Sequence, residues 1–143
     1  MEFEIYDHLL LVPAITFLVT VLMKWIAVKL QTWKIDLIRA FWSGGMPSVH
    51  SSVVVSLATA MALKHGIESD FFALAMAFTV IIIYDAINVR FEAWLHAEAI
   101  NKHLGEKKFK ESLWHLPSEA FAGSVLGIIM AVVLFYIYKK KHF

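Results

Sequence analysis

The chain has 143 residues, of which 59% are hydrophobic and none is cysteine, and its mean hydropathy is +0.66. Soluble domains average ~45–50% apolar residues, so this composition excludes an ordinary soluble domain. A net charge of +1 gives no basic excess for neutralising a nucleic-acid backbone, and the lack of cysteine excludes disulfides and thiolate ligands. The composition therefore predicts an integral membrane protein without a nucleic-acid partner.

Four apolar segments are candidates for membrane-spanning helices, which need about 20 residues to cross ~30 Å of hydrocarbon. We expect a single membrane domain over residues 1–143, with spans at roughly 9–28, 47–63, 71–87 and 119–138. The acidic first residues lack the basic region of a cleavable signal, so the first segment is expected to remain. A tight turn joins the second and third spans, and longer connectors follow the first and third. The predicted fold is an all-α bundle of four transmembrane helices.

Both longer connectors, Lys29–Met46 and Asn88–Ser118, have the composition of interfacial segments. In the stretch Asn88–Leu104, apolar residues recur every three or four positions between charged ones, which predicts an amphipathic helix lying on the membrane surface. A similar interfacial helix is expected in the first connector. All five tryptophans fall at this one interface: Trp25, Trp33, Trp42, Trp94 and Trp114.

The distribution of cationic residues predicts the orientation in the cell membrane. Eight lysines and arginines lie on the side of the two connectors and four on the opposite side. The positive-inside rule then places both connectors in the cytoplasm and both termini outside. The basic tail Lys139–Lys141 is the exception to this pattern.

A first polar group begins the second span, in the stretch Ser43–Ser52. Pro47 suits the first turn of a helix, and the glycines before it allow close backbone approach. The open N–H groups of a helix start attract an anion, and Ser48, His50 and Ser51 add polar side chains there. An equally weighted interpretation is a helix cap with interfacial polar residues.

A second polar group, His115–Glu119, begins the fourth span with a proline at its start. Glu119 lies four residues after His115 and is placed to accept a hydrogen bond from its ring, leaving the other ring nitrogen to attack a substrate. Gly123 and Gly127 follow at the spacing of close helix packing, and this face is a candidate for homo-oligomerisation. The alternative makes His115 an interfacial residue and Glu119 a favourable charge at a helix N-terminus.

A third group lies at the end of the third span. Arg90 offers a bidentate fork for phosphate, whereas Asp85 needs a partner if it is in the membrane. Lys24 lies at similar depth in the first span, and it either contributes to the site or extends to the interface. Arg39 is a further candidate. Since the sequence has no HxxxH or HExxH pattern, we predict neither a metal site nor a cofactor.

Three ordered elements resemble a known family. The stretch Gly44–Ser51 is similar to the Gly-Gly-Met-Pro-Ser-Ser-His-Ser motif of the divergent type-2 phosphatidic acid phosphatase family, which is related to acid phosphatases and vanadium-dependent haloperoxidases. Asp85–Arg90 resembles its Asp-Ala-x-Gly-Val-Arg element, and Trp114–Glu119 with the two following glycines resembles its Gly-His-x-Pro-x-Glu element. The Lys-x6-Arg-Pro element of the wider superfamily is not intact, with Lys24 as a candidate remnant.

The resemblance implies His115 as nucleophile, His50 as acid to the leaving group and Arg90 as a phosphate ligand. The residues themselves add an orienting role for Glu119 and a supporting role for Asp85. Further phosphate-binding candidates are Lys24, Arg39, Gly45, Ser48 and Ser51.

Together these features predict a metal-independent membrane phosphatase that hydrolyses a lipid phosphate monoester or pyrophosphate through a phosphohistidine. Two alternatives remain open on the sequence alone. One is a protein that binds or translocates an anionic lipid through the same pocket without hydrolysis. The other is a structural or partner-binding membrane subunit.

Overall fold

A computed structural model of the chain describes residues 9–32, 45–111 and 116–141. These residues form helices and turns, with no strand among them. The helices are α1 (Leu11–Thr32), α2 (Val49–His65), α3 (Asp70–Tyr84), α4 (Arg90–Leu104) and α5 (Pro117–Lys141), and a π-helical turn (Asp85–Val89) joins α3 to α4. The prediction of an all-α fold is therefore confirmed for this part of the chain. Most of the predicted first interfacial helix lies outside it.

Within the described residues, two helices are long and apolar enough to cross a membrane. One runs without a break from Asp70 to Leu104, and the other covers Pro117–Ile137 within α5. The apolar part of α1, Leu11–Ala27, is shorter, and α2 has 17 residues. These findings support a membrane protein, and the count of four spans stays a prediction.

The helices α2 and α5 approach so closely that their backbones are nearly in contact. A Cβ atom added to Gly127 would lie 2.5 Å from the carbonyl oxygen of Ser52, and one added to Gly123 would overlap the carbonyl oxygen of Ser48. Only glycine fits at both positions, as the spacing of these two residues predicts. The partner, however, is α2 of the same chain. The two glycines therefore serve this intramolecular contact, which corrects the suggestion that they join two copies.

Hydroxyl groups fill the contact between α1 and α2. The side chains of Thr20 and Ser52 lie 3.0 Å apart, oxygen to oxygen, and both residues are buried. The Thr20 hydroxyl lies 2.7 Å from the carbonyl oxygen of Thr16, and the Ser52 hydroxyl 2.9 Å from that of Val49. Because these hydroxyls have backbone acceptors on their own helices, they are tolerated in the interior.

The short turn predicted between the second and third spans is confirmed. The helix α2 ends at His65, and Ser69 caps the start of α3 by accepting a hydrogen bond from the Phe72 amide at 3.2 Å. Further along, the hydroxyl of Thr79 shares its hydrogen between the carbonyl of Ala75 on α3, at 2.8 Å, and the carbonyl of Val54 on α2, at 3.2 Å. The two helices therefore form an antiparallel hairpin held together by a side-chain hydrogen bond.

The amphipathic stretch that follows the third span is helical, as predicted, but it is not a separate element. The π-helical turn passes directly into α4, so Asp70–Leu104 is one helix of 35 residues. At 1.5 Å per residue its length along the axis is about 52 Å, which exceeds the ~30 Å of a bilayer core. No glycine or proline interrupts this stretch, and α4 therefore continues beyond the bundle.

The distribution of side chains is inverted relative to a soluble protein. The buried positions are mostly alanine, serine and threonine, whereas large apolar side chains point outward. Phe78, Ile81 and Phe121, for example, are 57%, 64% and 72% exposed. Helix contacts built from small residues, with large apolar residues outside, are typical of helices that pack within lipid.

Candidate functional site

The start of α2 is built around a buried serine. Ser48 caps the helix: its hydroxyl oxygen accepts hydrogen bonds from the amide of Ser51 at 3.4 Å and from the Ser51 hydroxyl at 3.2 Å. Both serines are completely buried. Because the helix begins at Val49, Pro47 lies before the cap and not in the first turn, which corrects the sequence-based expectation. Gly45 has a φ of 119°, a conformation that other residues rarely adopt.

The start of α5 is closed by the side chain of Glu119. This residue is the third of the helix, and its Oε2 accepts a hydrogen bond from the amide of Leu116, just before the helix, at 3.2 Å. The arrangement is one half of a capping box, and it places a negative charge where the helix dipole favours one. Pro117 is the first residue of the helix, as predicted.

The two helix starts are joined directly. The amide of Gly45 donates to Oε2 of Glu119 at 3.2 Å, and the amide of Ser48 donates to the backbone carbonyl of Glu119 at 3.1 Å. The first and second polar groups of the sequence are therefore brought together, as expected. The carboxylate of Glu119 has a role that the sequence did not suggest, since it binds backbone amides from both groups.

Lys24 approaches the same place from α1. Its side chain is only 3% exposed, and its Cε would lie 3.7 Å from a Cβ placed on Gly45. Its ammonium group is close enough to Glu119 for mutual electrostatic attraction. Of the two roles considered for Lys24, burial inside the bundle argues against extension to the interface, and its contribution to a phosphate site stays a prediction.

Asp85 and Arg90 form an ion pair across the π-helical turn. The Nε of Arg90 lies 2.8 Å from Oδ2 of Asp85, and the two side chains are 36% and 40% exposed. The wider turn puts residues five apart within reach of each other. Asp85 thus has the partner that a membrane carboxylate needs, and the π-helical turn also contacts α5. The structure therefore links the third polar group to the helix that carries Glu119.

Among the remaining candidates, His50 is the second residue of α2 and is exposed. His115 and Arg39 lie outside the described residues. Their roles, and the hydrogen bond predicted between His115 and Glu119, stay predictions. The roles of Ser48 and Ser51 as phosphate ligands also stay predictions, and both side chains serve the helix cap in the structure.

One polar contact of a buried side chain was not anticipated from the sequence. Asn101, on α4, is 5% exposed, and its side-chain oxygen accepts from the amides of Lys108 and Phe109 at 3.0 and 2.9 Å. Its nitrogen donates to the carbonyl of Phe109 and to Glu111, each at 2.8 Å. All four hydrogen-bonding positions of the amide are used. Asn101 lies four residues after Ala97, on the buried face of α4, and this spacing is the sequence feature that could have indicated a buried amide.

Comparison with known proteins adds the family. A family model described as "Divergent PAP2 family" matches residues 5–130. An uncharacterized membrane protein of Bacillus subtilis, YuiD, is 37% identical to the chain over an alignment covering 73% of this chain and 79% of the relative. No solved structure matches the chain significantly. The matched region contains all three polar groups, and the chain belongs to the divergent PAP2 family.

Proposed function

We propose that the protein is a membrane phosphatase that removes phosphate from a lipid phosphate monoester or pyrophosphate through a phosphohistidine, without a metal ion. Membership of the divergent PAP2 family supports a phosphatase-related role. The reacting groups in this proposal are His115 and His50. The site faces the side of the two long connectors, which the charge distribution predicts to be cytoplasmic.

The observation that supports this proposal most is the junction of the two helix starts at Glu119. The amides of Gly45 and Ser48 both donate to this residue. His50 is two residues after Ser48, and His115 is four residues before Glu119 in the sequence. The junction thus holds the segment that contains His50 against the helix that follows His115, which is what a two-histidine mechanism requires.

The charges around the junction suit a phosphate group. Lys24 is buried beside Gly45 and is attracted to Glu119. In its pair with Asp85, Arg90 uses its Nε donor, and a guanidinium has four further N–H donors with which to bind phosphate oxygens. Cations held in place by carboxylates can stabilise the negative charge of a phosphoryl transition state without reorganisation.

The proposed reaction has two steps. In the first, a neutral ring nitrogen of His115 forms a bond to phosphorus while the bond from phosphorus to the lipid oxygen breaks, and His50 gives its proton to the leaving oxygen. In the second, water transfers a proton to His50 and attacks phosphorus, and the phosphorus–nitrogen bond breaks to release phosphate. The two histidines thus begin the cycle in different protonation states.

Phosphate release from defined lipids tests the proposal. The protein is purified in detergent and incubated with phosphatidic acid, phosphatidylglycerophosphate or a polyprenyl pyrophosphate, with and without EDTA. We expect release that survives EDTA and falls by at least about 10³-fold in His115→Ala, since a nucleophile is removed. His65→Ala, at the opposite end of α2 from His50, is the matched control and should retain activity.

A covalent phosphate on His115, trapped by acid-free quenching during turnover, would identify the intermediate. Full activity of His115→Ala would overturn the mechanism. If no substrate releases phosphate and the protein still binds anionic lipid in a manner weakened by His50→Ala and His115→Ala, the non-hydrolytic alternative takes its place.

A further inference from the structure

A long groove lies between α2, α3 and α5. Its volume is about 700 Å³, within the range of ~300–1,000 Å³ that is usual for ligand sites. Its walls include Ala58 and Ala62 on α2, Met76 and Val80 on α3, and Ile128 on α5. Val80 is 61% exposed and Ile128 46%, so the groove is open to the surroundings of the bundle.

The walls of the groove are apolar even where they contain hydroxyl groups. Four hydroxyl-bearing residues line it, and one of them, Tyr84, lies toward the Asn88 end and is 62% exposed. The other three are Thr59, Thr79 and Ser124, and each donates its hydrogen to a backbone carbonyl of its own helix at 2.8 Å. Because their hydrogens are already engaged, the length of the groove suits a ligand that needs no hydrogen bonds.

The groove is aligned with the bundle and has one polar end. Phe72 lines one end and Asn88 the other, a separation of about 24 Å along the helix, or most of the ~30 Å bilayer core. The amide of Asn88 lies two residues from Arg90. Ser124 lies five residues after Glu119, about 7.5 Å along α5. The polar end thus lies on the side of the candidate site.

We propose that this groove holds a hydrocarbon chain of the lipid whose phosphate group is bound at the candidate site; the phosphate end of this inference rests on the proposed function. A chain of methylene groups has the required shape and no polar groups. A helix of a second copy would bring no phosphate to the Asn88 end of the groove, which lies at the level of the candidate site. The position of that end therefore favours a lipid chain over a helix of a second copy.

Such a groove selects by shape and not by apolarity. A chain that moves from bulk lipid into the groove gains no hydrophobic free energy, because lipid tails are as apolar as the walls. What differs between substrates is the close contact that each chain makes with the walls. The groove therefore discriminates between chains of different length and branching.

Photo-crosslinking tests the occupant without requiring turnover. A phosphatidic acid with a diazirine in one acyl chain is incorporated with the protein into phosphatidylcholine nanodiscs, and the labelled residues are identified by mass spectrometry. We expect labelling concentrated on Met76, Val80 and Ile83. Ala62→Phe, which fills the groove near its Phe72 end, should reduce this labelling about tenfold. Ala73→Phe adds the same ring to α3 outside the groove and should leave the labelling unchanged.

Ala62→Leu fills less of the groove and replaces Ala62→Phe if that variant fails to fold. Equal labelling of the outward residues of α1, such as Leu18 and Leu22, with no difference between Ala62→Phe and Ala73→Phe, would overturn the proposal. Covalent dimers formed when a diazirine amino acid replaces Val80 would assign the groove to a second copy, with the same consequence.

Hydrolysis assays separate this inference from the proposed function. If both are correct, Ala62→Phe raises KM for long-chain phosphatidic acid and leaves that for a six-carbon analogue unchanged. If the groove is labelled but no substrate releases phosphate, the groove binds a lipid chain and the phosphatase proposal is wrong. If phosphate is released but the groove is not labelled and chain length has no effect, the phosphatase proposal is supported and the groove proposal is wrong.

Discussion

The carboxylate of Glu119 accepts a hydrogen bond from the backbone amide of Gly45, 74 positions earlier in the chain, at 3.2 Å. The same oxygen accepts a hydrogen bond from the amide of Leu116. One carboxylate therefore caps the start of α5 and also binds the segment that precedes α2. The strength of this junction can be measured by changing Glu119 alone.

Replacement of Glu119 by alanine should lower the free energy of unfolding by about 2–4 kcal/mol, because two amides lose a charged acceptor. Glu119→Gln keeps an oxygen acceptor and should lose about half as much. The measurement is thermal unfolding in detergent, in which size-exclusion chromatography after heating gives the fraction of protein that stays folded. Glu92→Ala, on the exposed part of α4, is the control, with an effect of no more than ~0.5 kcal/mol. Equal stability of Glu119→Ala and the unchanged protein would refute the junction.

Replacement of Gly127 by alanine should force α2 and α5 apart. The added methyl group would meet the carbonyl oxygen of Ser52 at 2.5 Å, and the cost of such overpacking is about 1–3 kcal/mol. Val125→Ile adds one carbon on the same helix at a 40% exposed position and should leave the melting temperature unchanged. A Gly127→Ala protein as stable as Val125→Ile would show that the two backbones do not meet there.

The ion pair of Asp85 and Arg90 should contribute little to stability. Since both side chains are more than a third exposed, we expect Arg90→Ala to cost no more than ~1 kcal/mol. If the guanidinium binds phosphate, the same variant should lower kcat/KM far more than stability, and Arg90→Lys should not restore it fully because lysine lacks the bidentate fork. Parallel losses of stability and activity would assign Arg90 a structural role only.

Asn101 should control the conformation of the segment 105–111. Asn101→Ala removes four hydrogen bonds, each worth about 1 kcal/mol, and tryptic cleavage after Lys107 or Lys108 should become at least about tenfold faster. Asn101→Asp keeps the acceptor for the two amides but sets a second carboxylate against Glu111, so its cleavage should also be accelerated. Cleavage rates unchanged in both variants would contradict the role of this amide.

The absence of cysteine makes the orientation directly testable. Glu106→Cys places a thiol after α4, and Ile67→Cys places one in the turn between α2 and α3, where Ile67 is 72% exposed. If the connectors are cytoplasmic, a membrane-impermeant maleimide should label Ile67→Cys in intact cells and Glu106→Cys only in inverted vesicles. The opposite pattern would reverse the orientation.

The sequence predicts the elements of this fold better than their contacts. Apolar segments indicate helices because length and composition are local properties, and the observed helices overlap all four predicted segments. Glycines at GxxxG spacing likewise indicate a close helix contact. They do not name its partner, and only the structure shows that Gly123 and Gly127 meet Ser48 and Ser52. The tertiary arrangement decides which helix faces are in contact, and the periodicity of the sequence does not specify that arrangement.

The candidate site shows the same limit. The pairing of Asp85 was expected, and Arg90 as its partner depends on a π-helical turn that no local pattern indicates. The sequence likewise does not indicate the hydrogen bond from the amide of Gly45 to Glu119, because a backbone donor 74 positions away leaves no trace in the residue types. The sequence does not decide whether Lys24 is buried, since a lysine in an apolar segment has two stable positions.

The hydroxyl-rich composition of α2 has a consequence for how the protein is made. With three serines on its buried face and only 17 residues, this helix gains little from entering lipid alone. Its glycine-bearing partner, α5, begins at Pro117, well after α2 ends at His65. We therefore expect α2 to insert stably into the bilayer only after α5 has been synthesised, so that chains interrupted before α5 become substrates for membrane quality-control proteases.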